Sequence, residues 1–201
     1  MFLTIEGIDG SGKSTFAERA VALLQRFGHK TLWTREPGGW QGGNQIRALL
    51  LEGNLKNSVS EIMLFLADRC EHIAQVIMPA LQNGMSVVCE RYNDSTLAYQ
   101  CWGRGIDRAR VEKLIGWCAL PVPDLTIWLD APLSLARERV CSRGESDRIE
   151  SEKAQFHQRV ALGFEALCRE CPERIVRFDA TMMPDELESA LEVLLKSRGL
   201  I

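Results

Sequence analysis

No stretch of the sequence approaches the roughly 18 consecutive apolar residues that a membrane span needs, and Met1 to Gly10 carries no cationic segment ahead of an apolar one. The chain therefore reads as a cytoplasmic protein with no membrane partner. Excess charge of one sign is also missing: 24 Lys and Arg stand against 27 Asp and Glu, a formal charge of -3. That balance gives no global attraction to nucleic acid, so any phosphate binding must come from a local site. There is no internal repeat, no low-complexity tract and no composition break that would mark a linker, and the 201 residues are expected to form one domain, 1–201. A disulfide framework is not expected. Seven cysteines is an odd number, in a chain long enough to bury a core without staples, which predicts buried or idle thiols. Cys168 and Cys171 form a C-x-x-C with no second pair, two ligands short of a structural zinc site.

What is present is alternation. Phe2 to Ile5, Lys30 to Thr34, Ser86 to Cys89, Leu125 to Leu129 and Ile175 to Phe178 read as strands. Between them the apolar spacing turns helical, as in Phe16, Ala20, Leu23, Leu24 and Phe27, closed by Gly28 as a C-terminal cap. Ser58 with Glu61 reads as a capping box that opens a long helix bent at Pro79, and Pro132 and Pro184 fit the first turns of two more. Strand and helix in strict succession imply right-handed crossovers and a parallel sheet covered on both faces. The expected fold is α/β, a three-layer, doubly wound, parallel five-stranded sheet. Ligands in such folds sit outside the carboxyl ends of the strands, which directs attention to the Gly- or Arg-rich stretches Glu36 to Asn44 and Ser142 to Asp147.

Directly after the first strand comes Gly7-Ile8-Asp9-Gly10-Ser11-Gly12-Lys13-Ser14-Thr15, which satisfies G-x-x-x-x-G-K-[ST] and runs into a helix. Glycines let main-chain N–H groups converge on phosphate oxygens, the helix N-terminus adds partial positive charge and Lys13 a full one. Ser14 is placed to hold Mg²⁺ and Thr15 to meet the α-phosphate of ATP. A carboxylate inside an anion cradle opposes phosphate binding unless it faces a cation or hydroxyl, so Asp9 is expected to point away from ATP. The N/T-K-x-D that reads guanine is absent from the sequence, which weakens a GTPase reading. The loop alone leaves the phosphoryl acceptor open among water, a side chain and a small molecule.

Four further segments follow: Thr34-Arg35-Glu36-Pro37-Gly38-Gly39; Leu64-Phe65-Leu66-Ala67-Asp68-Arg69; Glu90-Arg91-Tyr92 with Ser95, Thr96, Ala98, Tyr99 and Gln100; and the arginine-bearing stretch Arg143 to Glu150. In this order, over about three quarters of the chain, they resemble the thymidylate kinase family, enzymes of nucleotide biosynthesis that phosphorylate dTMP to dTDP with MgATP on the way to dTTP. The resemblance implies a P-loop nucleoside monophosphate kinase-like fold, a homodimer and a set of roles. Phe65, four residues from Arg69 and on the same helix face, would stack on thymine while Arg69 donates to a base carbonyl. Thr96, Gln100 and the weaker candidate Ser95 would address the base edge, and Tyr99 would crowd the 2′ position of the sugar. Asp9 and Glu36 would lie near the acceptor's sugar and phosphate, with Arg47 and Arg91 neutralising that phosphate.

The family usually has Asp before Arg-Tyr where this chain has Glu90, whose extra methylene sends the carboxylate one bond further toward the metal, held directly or through water. The loop has no basic residue besides Lys13, so the resemblance is to the bacterial type, in which lid arginines meet the transferring phosphate. Arg137, Arg139, Arg143 and Arg148 surround the expected lid at about 142–150. A solvated helix face explains Arg137 and Arg139 as well as a catalytic role does, so catalysis is assigned first to Arg143 and Arg148, beside Lys13, Arg91, Asp9 and Glu90. Arg137, Asp179 and Ala180 are weak candidates for the adenine. The competing readings are a kinase for another nucleoside or nucleoside monophosphate, and a P-loop switch protein without an acceptor.

Overall fold

The computed structural model describes residues 1–144 and 147–201. Its strands are β1 (Phe2–Glu6), β2 (Thr31–Arg35), β3 (Ser86–Glu90), β4 (Leu125–Asp130) and β5 (Ile175–Asp179). All pair in parallel in the order β2-β3-β1-β4-β5. Each reaches one residue beyond its apolar run, ending on Glu6, Arg35, Glu90, Asp130 or Asp179, and β2 begins at Thr31 instead of Lys30. Hydrophobicity hides these polar ends, and they form the carboxyl edge of the sheet. β1 and β3 are buried throughout, as central strands of a sheet covered on both faces must be.

The two faces can be read from alternate residues of β3. Val87 and Cys89 pack with Ile73, Ile77 and Ala80. Val88 packs with Leu3, Ile5 and the apolar stripe Phe16, Ala20, Leu23 and Leu24 of α1 (Lys13–Arg26). Gly28 follows α1 at a φ of 84°, the left-handed turn that ends the helix.

The remaining helices are α2 (Gly43–Leu51), α3 (Ser58–His72), α4 (Met78–Gln82), α5 (Asn93–Thr96), α6 (Arg108–Trp117), α7 (Leu133–Ser142), α8 (Ala154–Glu170) and α9 (Pro184–Ser197). The expected capping box at Ser58 is not formed. Asn57 caps α3, its Oδ1 accepting from the N–H groups of Val59 (2.9 Å) and Ser60 (3.2 Å), and Glu61 turns into the protein to meet cations. The bend expected at Pro79 is a π-helical turn, Ile73–Ile77, after which Pro79 sits in the first turn of α4 where its missing N–H leaves no gap. A second π-helical stretch, Leu97–Gly103, continues α5. Pro132 caps α7 and Pro184 opens α9.

Candidate active site

The loop after β1 crosses beneath α7. A Cβ built on Gly10, at a φ of 81°, would lie 2.1 Å from the Ala136 carbonyl oxygen, so no other residue fits there. Gly12 precedes α1 without a side-chain cap, which leaves the first-turn N–H groups free for an anion. Lys13 is buried against the loop and donates to the carbonyls of Gly7 (3.1 Å) and Ile8 (2.8 Å). Burial and the nearby Arg91 charge lower its pKa to about 8, against the pull of Asp9, Glu90 and Glu6. Ser14 Oγ donates to Glu90 Oε2 at 2.8 Å, and Trp33 Nε1 donates to Glu90 Oε1 at 2.9 Å.

Arg91, the residue after β3, joins the loop to the helical wall opposite. Its Nη1 donates to Gly7 O and Ser95 Oγ, both at 3.1 Å, while Nη2 pairs with Asp9 Oδ1 and reaches the Tyr99 hydroxyl at 3.3 Å. The guanidinium also lies over the Tyr99 ring, 5.0 Å from its centre. Tyr99 donates to Asp9 Oδ2 at 3.0 Å. Burial works to raise the Asp9 pKa, but the charges of Arg91 and Lys13 and the Tyr99 hydrogen bond hold it well below the usual carboxylate range. Asp9 thus faces a cation and a hydroxyl, as its place in an anion cradle requires.

α3 supplies the opposite wall. Arg69 is enclosed and donates to Glu36 Oε2 (2.6 Å), Asn93 Oδ1 (3.0 Å), Thr96 Oγ1 (2.8 Å) and the Tyr92 carbonyl (3.1 Å). His72 Nδ1 lies 3.1 Å from Glu36 Oε1, and Asp68 accepts from the Gly38 N–H and from Trp40 Nε1. Three residues of one helix turn therefore hold the loop that begins at Glu36. Arg47 of α2 donates to the Pro37 carbonyl at 2.9 Å. Burial, then the charges of Arg35 and Arg91, lower its pKa against the pull of Asp147 and Asp68.

These side chains share one cavity of about 500 Å³. It is lined by Asp9, Gly10, Gly12, Lys13, Ser14, Thr15, Glu36, Arg47, Phe65, Arg69, Glu90, Arg91, Ser95, Thr96, Tyr99, Gln100 and Arg143, all anticipated from the sequence. Gly7, Ile8 and Ser11 of the phosphate loop do not line it: the Gly7 carbonyl accepts from Lys13 and Arg91, Ile8 lines a neighbouring cavity and Ser11 is buried. The sequence-expected pair of lid arginines is not brought together. Arg143 lines the cavity and pairs with Glu150 at 2.7 Å. Arg148 turns away, donating to the Leu50 carbonyl (2.8 Å) and to Glu61 (2.6 Å). The reason is Glu61, a buried carboxylate that also gathers Gln100 and Arg104 and needs such partners to stay ionised out of water. Arg139 lines the cavity instead, Nη1 3.4 Å from the Gly10 carbonyl.

Glu145 and Ser146 of the expected lid lie outside the described residues. Of the weak adenine candidates, Arg137 lines a separate cavity of about 350 Å³ with Ile8, Leu133 and His157, while Asp179 accepts from Thr181 and Ala180 is buried. Sequence reasoning missed Arg35, Asp147, Ile149 and Glu150, which line the cavity, and the supports Glu6, Trp33, Asp68 and His72. Arg35, Asp68, Asp147, Ile149 and Glu150 stood inside quoted segments without a role assigned to them.

With this geometry in place, the comparisons with known proteins can be given. The family model for thymidylate kinase matches residues 5–191. The thymidylate kinase of Desulfovibrio desulfuricans is 44% identical, the match covering 99% of this chain and 98% of that protein, and the thymidylate kinase of a Synechococcus species is 43% identical over 98% and 95%. The crystal structure of thymidylate kinase from Ehrlichia chaffeensis superposes with a TM-score of 0.80 at 30% identity, covering 98% of each chain. The likeness covers nearly the whole chain in sequence and in backbone path, and the chain belongs to the thymidylate kinase family.

Proposed function

We propose that the chain transfers the terminal phosphoryl group of ATP to dTMP, giving ADP and dTDP. One observation carries this reading: Arg91 touches Gly7 and Asp9 of the phosphate loop on one side, and Ser95 and Tyr99 of the helical wall on the other, within a single cavity. A donor nucleotide on the loop and an acceptor against Phe65 would meet at that arginine.

The nucleophile is a phosphate oxygen of dTMP. With a second pKa of about 6 it is largely deprotonated at neutral pH and needs no strong base. What the site supplies is alignment and positive charge. Lys13 and the main-chain amides take the β- and γ-phosphates of ATP, and Thr15 the α-phosphate. Arg91 and Arg47 hold the acceptor phosphate, with Asp9 and Glu36 near it and its sugar. Phe65 stacks on thymine, Arg69 donates to a base carbonyl, Thr96, Gln100 and Ser95 meet the base edge, and Tyr99 blocks a 2′-hydroxyl. The segment at about 142–150 acts as the lid that excludes water, and we assign the charge on its side to Arg143 and Arg139.

Ser14 and Glu90 present two hard oxygen donors 2.8 Å apart beside Lys13, a set that suits Mg²⁺. They would hold the ion, Glu90 directly or through water. When bound, it offsets charge on the β- and γ-phosphates.

Among the described residues no helix is long and apolar enough to cross a membrane, and all seven cysteines are free, which supports a cytoplasmic setting. Exposed Val59 and Met63 lie one helical turn apart on α3, with exposed Leu49 on neighbouring α2, and we assign this apolar patch to a homodimer contact. The test of the whole reading is a crystal structure with both nucleotides bound. It is expected to show the pyrimidine against Phe65 and its phosphate within reach of Arg91; a pyrimidine elsewhere overturns the reading.

A further inference from the structure

Glu6 ends β1 fully enclosed, yet the reaction asks for no carboxylate there. Its oxygens are committed to the segment after β3. Oε1 accepts from the backbone N–H groups of Tyr92 (2.7 Å) and Ser95 (3.2 Å), and Oε2 accepts from the Ser95 hydroxyl (2.5 Å).

The residue between Glu90 and Tyr92 is Arg91, whose φ of 64° lies in the left-handed region that large side chains seldom adopt. Such a conformation persists only where its surroundings over-determine it. Here β1 grips the backbone on both sides: the Arg91 N–H donates to the Ile5 carbonyl at 2.9 Å, and the next N–H donates to Glu6. The guanidinium is gripped through the same carboxylate. The Ser95 hydroxyl has one proton, and giving it to Glu6 leaves the oxygen's lone pairs to accept from Arg91 Nη1 at 3.1 Å.

We propose that Glu6 is a positioning residue for Arg91, fixing its backbone twist through the Tyr92 N–H and its guanidinium through the polarity of the Ser95 hydroxyl. The proposal rests on the reading of Arg91 as the clamp on the acceptor phosphate.

Glu6→Gln, assayed at pH 8 where the wild-type carboxyl with its pKa of about 7 is mostly ionised, tests it with almost no change of shape. An amide can still accept from Tyr92 N–H, but its NH₂ then faces Ser95 Oγ, turning the hydroxyl proton toward Arg91 so that donor meets donor. The expected result is a rise of about tenfold in the KM for dTMP, the worth of one charge-assisted hydrogen bond, with the KM for ATP unchanged. In a Ser95→Ala background, where the relay is already cut, the same substitution is expected to add little. A loss confined to kcat or to the folded fraction, or a full additional effect on Ser95→Ala, overturns the proposal. If Glu6→Gln does not fold, Glu6→Asp, which keeps the charge but withdraws it by one bond, is expected to show the same split between substrates, and an unchanged dTMP KM overturns the idea. Arg91→Ala, measured in parallel, separates the two levels. Loss in that variant without loss in Glu6→Gln removes the positioning role alone; no loss in Arg91→Ala removes the clamp reading and this proposal with it.

Discussion

The indole N–H of Trp33 donates to Glu90 Oε1 at 2.9 Å across neighbouring strands, while the other carboxylate oxygen accepts from Ser14. The longer side chain that this protein carries in place of the family's usual Asp is thereby anchored at one oxygen, which leaves the second aimed at the phosphate loop. Partners that orient a metal-holding carboxylate matter nearly as much as the carboxylate itself. Trp33→Phe should therefore raise the Mg²⁺ concentration needed for half-maximal rate by about tenfold. Because Trp33 is 45% exposed, the melting temperature should hardly move; titration of rate against Mg²⁺ checks the first expectation and calorimetry the second.

Arg139 lines the cavity while Arg148 is held by Glu61, so their alanine variants should differ in kind. Arg139→Ala should lower kcat by at least about tenfold, as loss of a cation beside the transferring phosphoryl group does, at an unchanged melting temperature. Arg148→Ala strips one cation from the buried Glu61 and should cost about 1–3 kcal/mol of stability with a smaller effect on kcat. Steady-state kinetics and thermal melts on both variants decide the matter. A large kcat loss at full stability in Arg148→Ala would return that residue to the site.

That contrast shows where the sequence stops being legible. The phosphate loop is a local object: nine consecutive residues contain the glycines, the lysine and the hydroxyls it needs, so its role can be read without the fold. The five strands and their parallel pairing follow from alternation and handedness in the same way, whereas their order is seen only in the fold. Which arginine of an arginine-rich stretch turns inward depends instead on what waits for it. Glu61 lies more than eighty residues before Arg148, and nothing in the sequence marks it as a buried carboxylate; its place three residues after Ser58 suggests a helix cap. Glu6 and His72 are hidden for a similar reason, since a polar residue at the end of an apolar strand or in a helix turn reads as surface until its partners are known.

Phe65 should carry the base. Stacking on an aromatic ring is worth about 1–3 kcal/mol per base, so Phe65→Ala should raise the dTMP KM by about 10- to 100-fold and leave the ATP KM unchanged. Phe65→Tyr, which keeps a ring, should retain most of the affinity. Initial rates with each nucleotide varied in turn provide the check.

The pH dependence of stability should carry the mark of Glu6. Burial, helped by repulsion from Asp94 and opposed by Ser95, Arg91 and Tyr92, pushes its pKa up to about 7 from an ordinary 4.5. A raised carboxyl pKa means that the folded state holds the proton more tightly than the unfolded state. Its contribution to stability is then greatest below pH 4.5 and is lost as the pH rises through about 7. Gln at this position cannot ionise. Relative to the wild type, Glu6→Gln should gain stability as the pH is raised from 5 to 8, read as the difference in melting temperature between the two proteins at each pH; a difference that stays flat across that interval contradicts the assignment.

The most direct test of the account is ADP formation with a panel of acceptors: dTMP, dUMP, dCMP, dGMP and thymidine. The proposed function predicts that dTMP leads. dUMP, which lacks one methyl group, should follow at a kcat/KM lower by about 10- to 200-fold, and the other acceptors should be far behind. A preference for thymidine over dTMP, or tight ATP binding with no acceptor-dependent turnover, would contradict it.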